Sequence, residues 1–193
     1  EGETIILSAH GVSPEVRRVC VERNLRVIDA TCPLVSKVHA EVRRYAKRGL
    51  TVLMVGHAYH DEVIGTRGEA PDNVIVVENV EDALTVEVPD PQQVALTTQT
   101  TLSIDDTAEI VDTLRRRFPA LQSPNSSDIC YATQNRQDAV REVVGGGADL
   151  VLSTDIADDP QVAQLLAELP HHEDSAILRG FAREIPFKRV MLD

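Results

Sequence analysis

The chain has 193 residues, of which 42% are hydrophobic and 3% aromatic, and its formal net charge is −12. This length allows one large domain or two small ones, and the negative charge argues against general nucleic-acid binding, which requires a basic face. Three scattered cysteines argue against a disulfide framework and favour a reducing, cytoplasmic setting. No apolar run approaches the roughly 18 residues of a membrane helix.

Short apolar strands alternate with amphipathic helices along most of the sequence. Strands are predicted at 4–8, 25–30, 51–56, 73–77, 94–98 and 150–153. Helices are predicted at 14–24, 33–47, 80–84, 104–118, 133–144 and 160–169. This alternation predicts an α/β fold in which parallel sheets are flanked by helices. The unbroken apolar centre of strand 51–56 predicts burial on both faces of its sheet.

Cys32 lies at the turn between a predicted strand and a predicted helix, with Pro33 at the first helical position. The helix dipole and the unpaired N–H groups at such a position favour a thiolate. The carboxyl ends of strands are also where open α/β sheets bind ligands. A buried cysteine with no further role fits the same pattern. Cys20, by contrast, falls on the apolar side of the first helix and is expected to be a small buried side chain.

Several polar residues directly follow strands and should therefore converge at one edge of the fold. They are His10, Cys32, His57, His60, Glu62, Gln99 and Thr100. Cys130 follows a loop and opens a helix, so its position at this edge is less directly implied. Two cysteines near histidines and a carboxylate indicate a metal or redox site, although no C-x-x-C pair is present.

The histidines also have simpler interpretations. His39 lies within a helix beside basic residues and is expected to be exposed. His171 and His172 lie in a polar segment and are expected to be solvated, and His57 could merely complete its turn. His10 and His60 lie in loops beside glycine or an acid, where an imidazole can bind phosphate.

Five segments resemble the signature motifs of the 4-hydroxy-3-methylbut-2-enyl diphosphate reductase family, the last enzyme of the methylerythritol phosphate route to isoprenoids. They are SAHGV (8–12), DATCPLV (29–35), GHAYHDE (56–62), TQTTLS (98–103) and DICYAT (128–133). The resemblance implies a three-lobed α/β protein with a [4Fe-4S] cluster at its centre. The implied reaction is a reductive dehydroxylation of the allylic diphosphate that yields isopentenyl and dimethylallyl diphosphates.

The resemblance also implies roles for individual residues. Cys32 and Cys130 match two of the three cluster ligands, and His10 and His60 match histidines that hold the diphosphate. Glu62 matches the carboxylate that delivers protons to the leaving hydroxyl, Thr100 matches a threonine beside that hydroxyl, and Gln99 is its neighbour at the substrate. An electron donor such as ferredoxin or flavodoxin is implied as the partner, with no nucleic acid and no membrane.

The sequence departs from the family pattern in several places. The first cluster cysteine and a histidine that follows it have no match, Asp61 stands where proline is usual, and residues 154–193 match no motif. The chain is therefore expected to be a fragment: the end of the first lobe (1–32), the middle lobe (33–126) and an incomplete third lobe (127–193). Alone it is expected to be inactive or nearly so. A non-catalytic remnant and a phosphate- or metal-binding α/β module are the alternatives.

Overall fold

The computed structural model describes residues 2–124, 128–145, 152–153 and 188–189. Backbone packing divides the chain into a first unit, Glu1–Asn135, and a second unit, Arg136–Asp193. The first unit contains two parallel sheets with helices packed against them, which confirms the predicted α/β class. The division into lobes at residues 33 and 127 stays a prediction.

The smaller sheet pairs strands β1 (Thr4–Leu7) and β2 (Arg26–Asp29) in parallel, and helix α1 (Pro14–Glu22) connects them. Helix α1 begins as the sequence predicts, because the Ser13 hydroxyl accepts a hydrogen bond from an N–H of the first turn and Pro14 follows it. Cys20 is buried on this helix, as expected for a small apolar side chain.

The larger sheet has the strand order β4-β3-β5, and all three strands are parallel. The strands are β3 (Thr51–Val55), β4 (Val74–Val77) and β5 (Val94–Thr98). The helices of this region are α2 (Pro33–Lys47), α3 (Asp61–Arg67), α4 (Val80–Thr85) and α5 (Ile104–Arg117). Helix α3 is absent from the sequence prediction, because seven residues are too few to display a helical repeat.

Strand β3 forms the centre of the core and is buried on both faces, as predicted. Val52 and Met54 belong to an apolar cluster that includes residues of α2 and α3, whereas Leu53 and Val55 belong to a second cluster with residues of α4 and α5. All four side chains are fully buried. Burying a side chain of this size contributes about 1.5–3 kcal/mol. This rigid central strand holds the loops at its carboxyl end in place.

Helix α6 (Tyr131–Gly145) begins directly after Cys130 and ends at the first of three glycines, close to the predicted bounds. In the described part of the second unit, β6 (Leu152–Ser153) pairs antiparallel with β7 (Lys188–Arg189). The predicted helix at 160–169, His171 and His172 lie outside the described residues. Among the helices that are described, none has the length and apolar character needed to cross a bilayer.

Candidate active site

Three ionisable side chains from two different loops lie close together. His10 follows β1, His60 caps α3, and Glu62 lies in the first turn of that helix. One nitrogen or oxygen atom from each side chain lies within 4.8 Å of the others. The two imidazole rings meet edge to face, with their centroids 4.9 Å apart. The structure thus brings together three of the residues that the sequence analysis selected.

Glu62 is a fully buried carboxyl group, and Thr100 binds both of its oxygens. The Thr100 backbone N–H donates to Oε1 at 2.6 Å, and the Thr100 hydroxyl donates to Oε2 at 3.0 Å. Burial raises the pKa of Glu62, and the opposing effects of the two Thr100 hydrogen bonds and of His10 do not cancel this rise. Glu62 can therefore carry a proton at a higher pH than an exposed glutamate, as a general acid requires.

His60 is oriented by a hydrogen bond at the start of α3. Its Nδ1 atom accepts the backbone N–H of Glu62 at 3.1 Å. An accepting nitrogen carries no proton, so a neutral His60 has its proton on Nε2. The same backbone turn thus fixes both the ring orientation of His60 and the position of the Glu62 carboxyl group.

Gln99 is buried at the carboxyl end of β5, where it connects two loops. Its Oε1 atom accepts the His57 backbone N–H at 3.0 Å, and its Nε2 donates to the Thr101 hydroxyl at 2.7 Å. The His57 side chain is exposed, so this residue contributes to the turn through its backbone. Gln99 therefore holds the loop after β3 against the loop after β5.

Both cysteines with metal-binding potential lie at the N-termini of helices. Cys32 is the N-cap of α2, Pro33 follows it, and the thiol makes no capping hydrogen bond. Cys130 directly precedes α6. The turn before Cys32 is stabilised by Asp29, whose carboxylate accepts hydrogen bonds from the hydroxyl and N–H of Thr31. These bonds and an ion pair lower the pKa of Asp29 to about 2.

Backbone hydrogen bonds tie each cysteine to the loops that carry the other site residues. The Cys32 N–H donates to the Ala9 carbonyl at 3.0 Å, and the Cys130 N–H donates to the Thr100 carbonyl at 2.8 Å. Ala9 precedes His10, which contacts His60 and lies close to Glu62, and Glu62 in turn binds Thr100. A continuous series of contacts therefore runs from the loop of Cys32 to the loop of Cys130. Sequence spacing alone could not connect these two cysteines, which are 98 residues apart.

Asp128 is a buried residue of the site that the sequence analysis did not select. Its side chain is 0% exposed, and its Oδ1 lies 2.9 Å from the Lys37 Nζ. Its Oδ2 accepts the Thr97 hydroxyl at 2.9 Å and the Thr98 N–H at 3.3 Å. A buried carboxylate is tolerated when charge and hydrogen bonds compensate its desolvation, as they do here. The sequence contains no spacing signal that links positions 37 and 128.

The expectation that His39 is exposed is wrong. Its side chain faces the core because it lies one turn after the buried Val35 on α2, and the residue is 3% exposed. Its Nδ1 lies 2.8 Å from Glu69, which also binds Arg43. Desolvation lowers the pKa of His39, although Glu69 opposes this effect. Within the described part of the chain its Nε2 makes no hydrogen bond, and it packs beneath Gly11.

The donor atoms of the site fit a thiolate-bound metal centre in part. All three cysteines lie in the described ranges and none forms a disulfide, and Cys32 and Cys130 are half-buried. Thiolates hold iron–sulfur clusters, so these two residues could supply two of the ligands. The His10–His60–Glu62 group offers nitrogen and oxygen donors that suit a harder metal ion or a proton relay.

The fold and the site together define an α/β protein with a buried acid, paired histidines and two thiols at helix N-termini. The model of the family described as LytB protein matches residues 1–154. The chain belongs to the LytB protein family.

Relatives and solved structures from distant organisms agree with this assignment. A 4-hydroxy-3-methylbut-2-enyl diphosphate reductase of Acidothermus cellulolyticus is 55% identical over 152 residues, covering 79% of this chain and 44% of the relative. A Burkholderia mallei protein named 4-hydroxy-3-methylbut-2-enyl diphosphate reductase 2 is 46% identical, covering 94% of this chain and 59% of the relative. The structure of E-1-hydroxy-2-methyl-but-2-enyl-4-diphosphate reductase from Plasmodium falciparum superposes with a TM-score of 0.70 at 44% identity, covering 75% of this chain and 46% of that one. The chain thus spans about half the length of the curated relatives it matches.

Proposed function

We propose that this chain forms part of a 4-hydroxy-3-methylbut-2-enyl diphosphate reductase of the methylerythritol phosphate pathway. In this reaction the allylic alcohol takes up two electrons and two protons, its C–O bond breaks, and water leaves together with isopentenyl or dimethylallyl diphosphate. The observation that carries the proposal is the buried Glu62–Thr100 pair beside two histidines. The names of the relatives support the same activity.

Glu62 and Thr100 are the proposed catalytic residues. Burial favours the protonated form of Glu62, so the carboxyl group can give a proton to the hydroxyl that departs as water. The Thr100 hydroxyl lies 3.0 Å from the same carboxyl group and can bind the substrate hydroxyl while remaining in contact with Glu62. Under this proposal the proton donor and the leaving group share a single hydrogen-bonded path.

His10, His60 and Gln99 are the proposed substrate-binding residues. The two imidazoles can donate charge-assisted hydrogen bonds to the diphosphate, and His60 is already oriented with Nε2 as its donor nitrogen. Gln99 keeps the adjoining loops in register through both ends of its amide group, and we assign the second hydrogen of that amide to the substrate.

Cys32 and Cys130 are two of the three proposed protein ligands of a [4Fe-4S] cluster. When bound, such a cluster supplies electrons one at a time, and a ferredoxin or flavodoxin is the proposed source of them. The position of Cys32 supports the assignment, because the half-buried thiol caps a helix N-terminus and makes no capping hydrogen bond of its own. The Cys32 N–H bonds to the Ala9 carbonyl, and the Cys130 N–H bonds to the Thr100 carbonyl. These backbone contacts support a shared site.

The test of this proposal is iron and acid-labile sulfide per chain after anaerobic reconstitution. We expect bound cluster in the unchanged chain and its loss in both Cys32→Ser and Cys130→Ser. Cys20→Ser is the matched control, because Cys20 is buried in α1 and should leave cluster content unchanged. Cluster content that is indifferent to Cys32 and Cys130 would contradict the proposal.

A metal-binding module is the second candidate function, and the His10–His60–Glu62 group favours it. This function predicts that a divalent ion such as Zn²⁺ binds to the chain and that His10→Ala and Glu62→Gln abolish binding. Under this alternative Cys32→Ser and Cys130→Ser would leave metal binding intact. Measuring zinc and iron binding on the same set of variants therefore distinguishes the two functions.

A further inference from the structure

The ion pair between Lys37 and Asp128 connects the two segments that carry the cysteines. Lys37 follows Cys32 by five residues on the same helix, and Asp128 precedes Cys130 by two residues. Their charged atoms lie 2.9 Å apart across 91 residues of sequence. Any shift of α2 relative to the segment before α6 would break this contact.

Asp128 is fixed from three directions. Its Oδ1 faces Lys37, while its Oδ2 accepts hydrogen bonds from Thr97 and Thr98 at the end of β5. The carboxylate is completely buried, so a change in position would leave an uncompensated charge without water. The Lys37 side chain is 29% exposed, so the pair is buried on the Asp128 side only, and removing Lys37 would leave the buried carboxylate without its cation.

Lys37 also lies near the carboxylate of Glu41, whose closest oxygen is 3.9 Å from the Nζ atom. Burial and the nearby Asp128 raise the pKa of Glu41, so Glu41 belongs to the same group of interacting charges. Lys47 lies ten residues further along the same helix and is exposed. Lys47→Met therefore supplies a control that removes the same charge away from Asp128.

We propose that Lys37 and Asp128 are positioning residues that set the Cys130 thiol relative to the Cys32 thiol, so that both can bind one shared ligand. The identity of the shared ligand rests on the function proposed above. The relative position of the Cys32 and Cys130 thiols does not depend on which ligand they bind. Because the contact lies outside the His10–His60–Glu62 group, its loss should change the geometry of the thiols without removing a group that touches substrate.

The test measures how readily one short bismaleimide joins Cys32 to Cys130 in the full chain, with Cys20 replaced by alanine. Each thiol adds across one maleimide double bond and its proton passes to the adjacent carbon, so no oxidant or metal is needed. The ratio of the cross-linking rate to the rate with a monofunctional maleimide gives the effective concentration of one thiol near the other. Mass spectrometry follows both reactions at a temperature well below unfolding.

We expect Lys37→Met and Asp128→Asn to lower this effective concentration by about tenfold while single-thiol alkylation stays within about twofold of the parent. Lys47→Met should leave the ratio unchanged, and Lys37→Arg should restore most of it because it keeps the charge. A ratio that is unaffected in both variants, or a parent chain that does not cross-link, would overturn the proposal. So would a lowered melting temperature with an unchanged ratio, since that indicates stabilisation alone. Because the assay contains no iron, its failure is distinct from a failure to bind a cluster.

Discussion

Replacing Thr100 by valine tests the hydrogen bonding of the buried acid. Valine has nearly the shape of threonine, so Thr100→Val removes the hydroxyl that donates to Glu62 Oε2 and keeps the backbone N–H that donates to Oε1. Both residues are buried, at 3% and 0% exposure, so water cannot replace the lost donor. Leaving a buried acceptor without its donor costs about 1–3 kcal/mol, and we expect a loss in this range at pH 8.

The free energy of unfolding from urea titrations, measured anaerobically, is the assay for this prediction. Thr107→Val is the matched control: Thr107 is also buried, but its hydroxyl donates to neutral backbone carbonyls of α5. Loss of such a neutral bond costs about 0.5–1.5 kcal/mol. If Thr100→Val costs no more than Thr107→Val at pH 8, then the buried Glu62 carboxyl group does not depend on this hydroxyl, and the reasoning fails.

Two further predictions concern His39 and Gly56. Burial lowers the pKa of His39 below its ordinary value of 6.5, so the unfolded chain binds a proton there that the folded chain does not. The contribution of His39 to stability should therefore fall as the pH drops below 6.5, whereas the raised pKa of Glu62 acts in the opposite direction. His39→Gln should flatten this slope in melting curves recorded from pH 8 to pH 5, while exposed His57→Gln should keep it; equal slopes would refute the assignment. Gly56→Ala places a methyl group 3.0 Å from Cβ of Gln99, and such overpacking should cost about 1–3 kcal/mol in urea titrations. Gly65→Ala meets nothing closer than 3.4 Å and should not be destabilising, so equal losses in the two variants would contradict the packing argument.

The elements of the first unit could be predicted because their signals are local. The cap at Ser13, the proline after Cys32 and the apolar run of β3 each depend on a few neighbouring residues, and the structure has the corresponding helix starts and buried strand. The sequence analysis also expected His10, His60 and Glu62 to converge, and their side chains do lie together, although the strands that precede them belong to two different sheets.

The features that could not be predicted from the sequence depend on contacts between residues that are far apart along the chain. His39 lies among basic residues in sequence, yet its partner Glu69 is 30 residues away and its burial follows from the packing of α2. Lys37 and Asp128 are ordinary charged residues until the fold brings them together. The helical register of Val35 contained a usable signal for His39, since a residue four positions later shares its face.

The order in which this site can form during synthesis follows from the long separation of its parts. Cys32 leaves the ribosome 98 residues before Cys130. At about 5–20 residues per second this interval lasts about 5–20 seconds. During that time α2 can form, and its N-terminal thiol is present without the Asp128 segment that later packs against the same helix. A thiol that is accessible during this interval can be oxidised, so Cys32 has to remain reduced until the Asp128 segment is in place.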